Sequence, residues 1–325
     1  MSDIFEPVQP VGHGNDLSTD IEEWINSPPI RALVVAFGGE ADVAVRSLEL
    51  RTKLDWLDSF TQRWDTRQGK ERDQADELPL TSNQEELVLN AAAALGFRKS
   101  RSPQHKSYDH VVMLGGLFRA CITRPAHAAN LIRTGAVRTS TVTALGGHRP
   151  FSDQERALAD RAGFPGLDEE FDALDAGTRK AFQLGQPASV EGERIENPGG
   201  SWTVRRYEGN AGLPVRVAAA PSSEPALRRA NTADSYNWWG NKIARLGSED
   251  RILAITTTIY VPAQHAAAIR MLTIPFGSEV ETVGIEPGDV NPTLAQPFSP
   301  TKYLLEVRST IRSLRDLLVA IDPTA

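Results

Sequence analysis

The chain reads as an α/β protein built on a three-layer, Rossmann-like, mainly parallel sheet, and three observations carry that expectation. Residues 110–149 run strand, glycine turn, helix, strand, glycine turn. HVVMLGG is apolar and β-branched, residues 126–132 set small and apolar side chains at helical spacing, and 137–145 return to valine and threonine ahead of Gly146-Gly147. Two strands joined by a helix in so short a span imply a right-handed crossover and parallel pairing. A further buried-type run, RILAITTT at 251–258, precedes a helix whose first turn suits Pro262.

The other segments complete a sheet of roughly five strands. Residues 1–15 hold prolines and glycines and read as an arm ordered by docking. Residues 16–25 predict a short capped helix ended by Ser27-Pro28-Pro29, and RALVVAFGGE predicts a strand ending in Gly38-Gly39. A helical pattern follows over 41–64, and residues 65–80 are a charged loop. Ser82 with Glu85, and Ser152 with Glu155, have capping-box spacing. Residues 163–200 bring two acidic helical pieces. SWTVRRYE and LPVRVAAAP flank the turn GNAG and predict a hairpin, whose second strand could instead join the parallel sheet. A helix over 228–246, a strand at EVETVGI and an amphipathic helix over 303–321 follow. The expected division is an N-terminal extension, 1–105, packed on a Rossmann-like domain, 106–325, with an insertion at 163–212.

Composition narrows the function. A formal net charge of −7 gives no basic excess for displacing counterions, so nucleic acid is not the expected partner. The single cysteine, Cys121, excludes an intramolecular disulfide and a cysteine-based metal cluster, and reads as a small packed apolar residue. No apolar run approaches a membrane span and MSDIFEPVQP lacks a signal pattern, so the expected setting is cytoplasmic, away from membranes.

The chemistry is expected at strand ends. LGGLFR, LGGHR, APSSE and TTTIY each close a strand on the presumed carboxyl edge, where open α/β sheets bind ligands. Glycine admits a ligand close to backbone N–H groups, and a helix N-terminus favours an anion; alone, a glycine pair is weak evidence, since most are only tight βα turns. Arg119, Arg124, His148 and Arg149 follow two of these ends closely. The phosphate-loop pattern, a complete G-x-G-x-x-G, a nucleophile-elbow serine and a His-Glu-x-x-His helix are all missing, and no metal site is expected. Of the six histidines, His148 and His265 fall near the sheet edge and are acid–base candidates. Glu155 is either a helix cap or a ligand contact.

At these residues the chain resembles the SanA/YdcF/ElyC-like proteins, the family called domain of unknown function 218. The resemblance lies in MLGG (Gly115, Gly116), TRPAHAANLIRTG (Arg124), ALGG (Gly146, Gly147), SDQERA (Glu155), RRANTADSYNWW (Asn231, Thr232) and TTTIYVPAQHAAAIRML. It spans about 110–275. Tyr260 stands where the family has histidine, Ala263 where it has arginine, and Ser235 where asparagine is expected. The resemblance implies a Rossmann-like sheet and a small nucleotide-type or phosphate-bearing ligand, S-adenosylmethionine being one candidate.

The expected function is a cytoplasmic enzyme, a transferase or hydrolase, acting on a small anionic metabolite. Arg124 would hold the anion, the amides of Gly115-Gly116 and Gly146-Gly147 would cradle it, and Glu155, His148 or His265 would carry the proton. Arg119, Arg149, Ser222, Asn231, Thr232, Thr257 and Tyr260 would complete the ligand contacts. The rival readings are a non-catalytic binder of the same fold and a scaffolding partner that uses Trp238-Trp239.

Overall fold

Residues 5–14, 16–39, 49–67, 69 and 75–322 are described by the computed structural model. In chain order the first elements are α1 (Leu17–Ile25), α2 (Pro28–Ala36), α3 (Leu50–Thr61), α4 (Ser82–Ala94), β1 (Ser107–Leu114), α5 (Phe118–Arg133), β2 (Arg138–Gly146), α6 (Asp153–Arg161) and α7 (Glu170–Phe182). There follow β3 (Ser189–Glu193), β4 (Trp202–Glu208), β5 (Pro214–Ala219), α8 (Thr232–Trp238), β6 (Arg251–Thr257), α9 (Val261–Ala268), the single turn α10 (Ile274–Phe276), β7 (Glu279–Ile285) and α11 (Pro300–Ile321). They fall into two units. One comprises residues 1–100, 258–270 and 297–325, the other residues 101–257 and 271–296.

The second unit carries a seven-stranded sheet in the order β3-β4-β5-β2-β1-β6-β7. β5, β2, β1, β6 and β7 are all parallel, which is the α/β, Rossmann-like fold the sequence predicts. β3 and β4 add an antiparallel hairpin beyond β5, so β5 is both a hairpin strand and a member of the parallel sheet. One face of the sheet packs on α5 and α7. Val111, Met113, Val142, Ala144, Val215, Val217, Leu253 and Ile255 meet Phe118, Cys121, Phe171 and Leu174 there. Alternation sends the neighbouring strand residues to the other face. On that face the indole of Trp239, just after α8, donates to Thr143 Oγ1 at 3.3 Å and stands edge-on to His110.

α5 begins at Phe118, well before the 126–132 segment that shows helical spacing, and runs through Pro125. Proline has no N–H for the carbonyl four residues back, here that of Cys121. That carbonyl faces α7, where a Cβ on Gly177 would stand 2.1 Å from it. Only glycine lets the two helices approach so closely.

The first unit is helical among its described residues, and it corrects the sequence reading at one point. RALVVAFGG is not a strand: residues 28–36 form α2, opened by Ser27 with Pro28 and Pro29 in the first turn. Pro29, Ile30, Leu33 and Val34 are its buried residues, a helical spacing that the β-branched content of the run concealed. Residues 41–48 of the expected long helix lie outside the described residues, and its remainder is α3 with a 3₁₀ turn at Gln62–Trp64. The capping box of α4 is made by Thr81 and Gln84, one residue ahead of the expected pair. That of α6 is made by Ser152 and Glu155, as the spacing predicts.

Candidate functional site

β1 and β6 are neighbours whose chain connections leave in opposite directions, β1 towards β2 and β6 towards β7. Such a switch point opens a crevice at the carboxyl ends of the two strands. Arg124 spans it. Its Nη1 donates to the carbonyls of Leu114 (2.7 Å) and Gly115 (2.5 Å) at the end of β1. Its Nε and Nη2 donate to Thr257 Oγ1 at the end of β6, at 3.3 and 3.1 Å. The residue is only 2% exposed. Gly116 has a φ of +152°, and a Cβ there would lie 3.7 Å from Arg124 Nη1.

A second cluster closes the end of β2. Arg149 grips Glu155 with both terminal nitrogens (2.8 and 2.7 Å) and gives Nε to Glu170 at 3.1 Å. It also donates to the carbonyls of Gly116 and Pro150. Glu155 further accepts from the amides of Phe118 and Ser152. Burial pushes the Glu155 carboxyl up, but Arg149 and the amides outweigh it and hold it below the ordinary range. Arg149 and Glu155 thus tie the loop before α5 to the start of α6. Glu170 fills the glycine notch: a Cβ on Gly115 would meet its Oε1 at 2.4 Å, and one on Gly146 at 2.8 Å. Burial pushes Glu170 up despite Arg149. One of the amides expected to cradle a ligand is engaged within the protein, that of Gly115 on Leu145 O at 2.7 Å.

His148 stands in the same region, with Nδ1 3.3 Å from both carboxylate oxygens of Glu169 and Nε2 3.1 Å from Thr203 Oγ1. Burial raises Glu169, and hydrogen bonds from His148 and Arg194 bring it below the usual range. Cys121 is buried, which pushes its thiol up and makes it a packing residue.

Beyond β5, Ser222 accepts from Glu224 N and from Arg228, whose guanidinium also binds Asp234. Asn231 caps α8 with Asp234, and Thr232 is the first helical residue. Arg119 reaches the carbonyl of Ala295 at 2.5 Å. Tyr260 and His265 belong to the first unit, where Tyr260 meets Phe298 edge-on and the His265 ring lies 6.0 Å from that of His13. Glu169, Glu170, Arg228 and Asp234 were not among the predicted residues. Glu169 and Glu170 lie in an acidic stretch with no motif, whereas Arg228 and Asp234 fall within RRANTADSYNWW, where the resemblance picks out Asn231 and Thr232 instead. Tyr236 and Thr256 were also missed. Both are fully buried, and neither hydroxyl has a hydrogen-bond partner among the described residues.

A parallel sheet with an arginine across its switch point defines a Rossmann-like α/β chain. The chain belongs to the Rv3785 family. A model of the Rv3785 N-terminal domain matches residues 9–96. The uncharacterized proteins Rv3785 of Mycobacterium tuberculosis (strain H37Rv) and Mb3814 of Mycobacterium bovis are each 31% identical over 329 residues, covering 93% of this chain and 89% of the relative. No solved structure matches. These findings correct the resemblance to the SanA/YdcF/ElyC-like family, which no match supports. Its motifs are short, and a strand ending in a glycine pair before a helix is a common way to make a βα turn. The matched N-terminal segment contains none of them.

Proposed function

We propose that this chain is a cytoplasmic protein that binds a small anionic metabolite, nucleotide-like or phosphate-bearing, at the carboxyl edge of its parallel sheet. One observation carries the reading: the Arg124 guanidinium joins the ends of β1 and β6 at the switch point. A nearly buried cation there sets up a positive field where open α/β sheets take their ligands. A thermal-shift panel of nucleotides, sugar phosphates and S-adenosylmethionine tests it. Stabilisation of the wild type that is lost in Arg124→Ala supports the site. Equal stabilisation of both proteins removes it.

A second reading, group transfer or hydrolysis on that ligand, is favoured by His148. One ring nitrogen faces the Glu169 carboxylate and the other the Thr203 hydroxyl, an arrangement in which a carboxylate orients an imidazole that can accept a hydroxyl proton. Turnover of a bound ligand, abolished in His148→Gln, separates enzyme from binder.

No helix among the described residues is long and apolar enough to cross a membrane.

A further inference from the structure

Tyr236 is 0% exposed, and its hydroxyl has no hydrogen-bond partner among the described residues. Such a group carries a desolvation penalty that no described residue offsets, and a phenylalanine in the same place would not. Its position in the fold suggests why a hydroxyl is kept there. β5 and β6 point the same way in the sheet, so α8, which joins them, descends from the carboxyl edge. Trp239 rests against His110 and Thr143. Tyr236 comes three residues earlier and so lies about 4.5 Å nearer the carboxyl edge. Burial pushes the phenol up and Arg124 opposes this, the net shift being upward. At neutral pH the phenol therefore keeps its proton and can donate it. Thr256, next to Thr257 and on the α8 face of β6 by alternation, is likewise 0% exposed with an unpartnered hydroxyl.

We infer that Tyr236 is a second ligand-binding residue of the switch-point site, its hydroxyl donating to an oxygen of the anionic group that Arg124 attracts. The inference rests on the reading of this edge as an anion site, and it narrows the ligand class. The ligand presents phosphate or carboxylate oxygens both to the arginine from α5 and to the phenol from α8, and a cation or an apolar molecule offers Tyr236 no acceptor.

The test uses the full chain as wild type, Tyr236→Phe and Arg124→Ala, melted without ligand and titrated with inorganic phosphate and with AMP. Tyr236→Phe is expected to melt about 1–3 °C higher without ligand, because an unsatisfied group is gone. It is expected to bind the probe that the wild type binds roughly 10- to 100-fold more weakly, the loss of one hydrogen bond to a charged group. A role in packing alone predicts the first change without the second. A lower melting temperature overturns the inference, since the hydroxyl would then have a partner such as a buried water. So does unchanged affinity in Tyr236→Phe when Arg124→Ala has lost binding, a result that leaves the anion site standing. Unchanged affinity in Arg124→Ala removes the site itself. Failure of the wild type to bind either probe overturns the phosphate arm of the ligand class and, with it, the assignment.

Discussion

Arg124 and Thr257 fasten together the carboxyl ends of two neighbouring parallel strands, with Nη2 3.1 Å and Nε 3.3 Å from the threonine hydroxyl. Thr257→Val keeps the shape and removes the acceptor from two charged donors. The expected loss of stability is about 1–2 kcal/mol, read from urea denaturation. An unchanged midpoint would mean that the hydroxyl contributes nothing to holding the guanidinium in place.

The notch formed by Gly115 and Gly146 is occupied by the Glu170 carboxylate, so a methyl group there competes with it. Gly115→Ala should cost about 1–3 kcal/mol through overpacking against Glu170 Oε1 and Gly146 Cα. In a Glu170→Ala background the same change should cost clearly less, because the carboxylate no longer blocks the methyl group. A double-mutant cycle measures this coupling. Strictly additive penalties would show that Glu170 does not fill the notch.

Much of the sheet could be read from the sequence because β-branched runs stopped by glycine have few alternatives. β1, β2 and β6 occur where the 110–149 and 251–258 patterns put them, parallel and adjacent. RALVVAFGG misled because its valines favour a strand, whereas Pro28-Pro29 ahead of it start a helix and its buried residues repeat at three and four. The site was less readable. Arg124 stood out because it follows a glycine pair, but Glu170 carries no local signal, and Tyr236 lies in RRANTADSYNWW without being one of the residues that the resemblance picks out. Their roles arise from where α7 and α8 cross the sheet, and nothing in the spacing of a single chain encodes that crossing.

Acid should weaken the β5–α8 loop. Burial raises Asp234, but hydrogen bonds from Arg228, Ser223 and Asn231 bring it down from 3.8 to about 2. A carboxyl depressed in the folded state contributes stability above its unfolded pKa and loses it as pH falls through the folded value. The stability difference between wild type and Asp234→Asn, followed by urea denaturation, should therefore shrink as pH falls from about 4 to about 2. A difference that stays constant across that window would show that the ionised carboxylate of Asp234 is not what stabilises the loop.

The most direct test of the central claim is a titration of ¹⁵N-labelled protein with AMP, followed through backbone amide shifts. The changes should concentrate at residues 115–118 and at 256–257, the ends of β1 and β6 on either side of Arg124, and should vanish in Arg124→Ala. Shifts confined to surface arginines away from those strand ends, or identical in the variant, would contradict an anion site at the switch point.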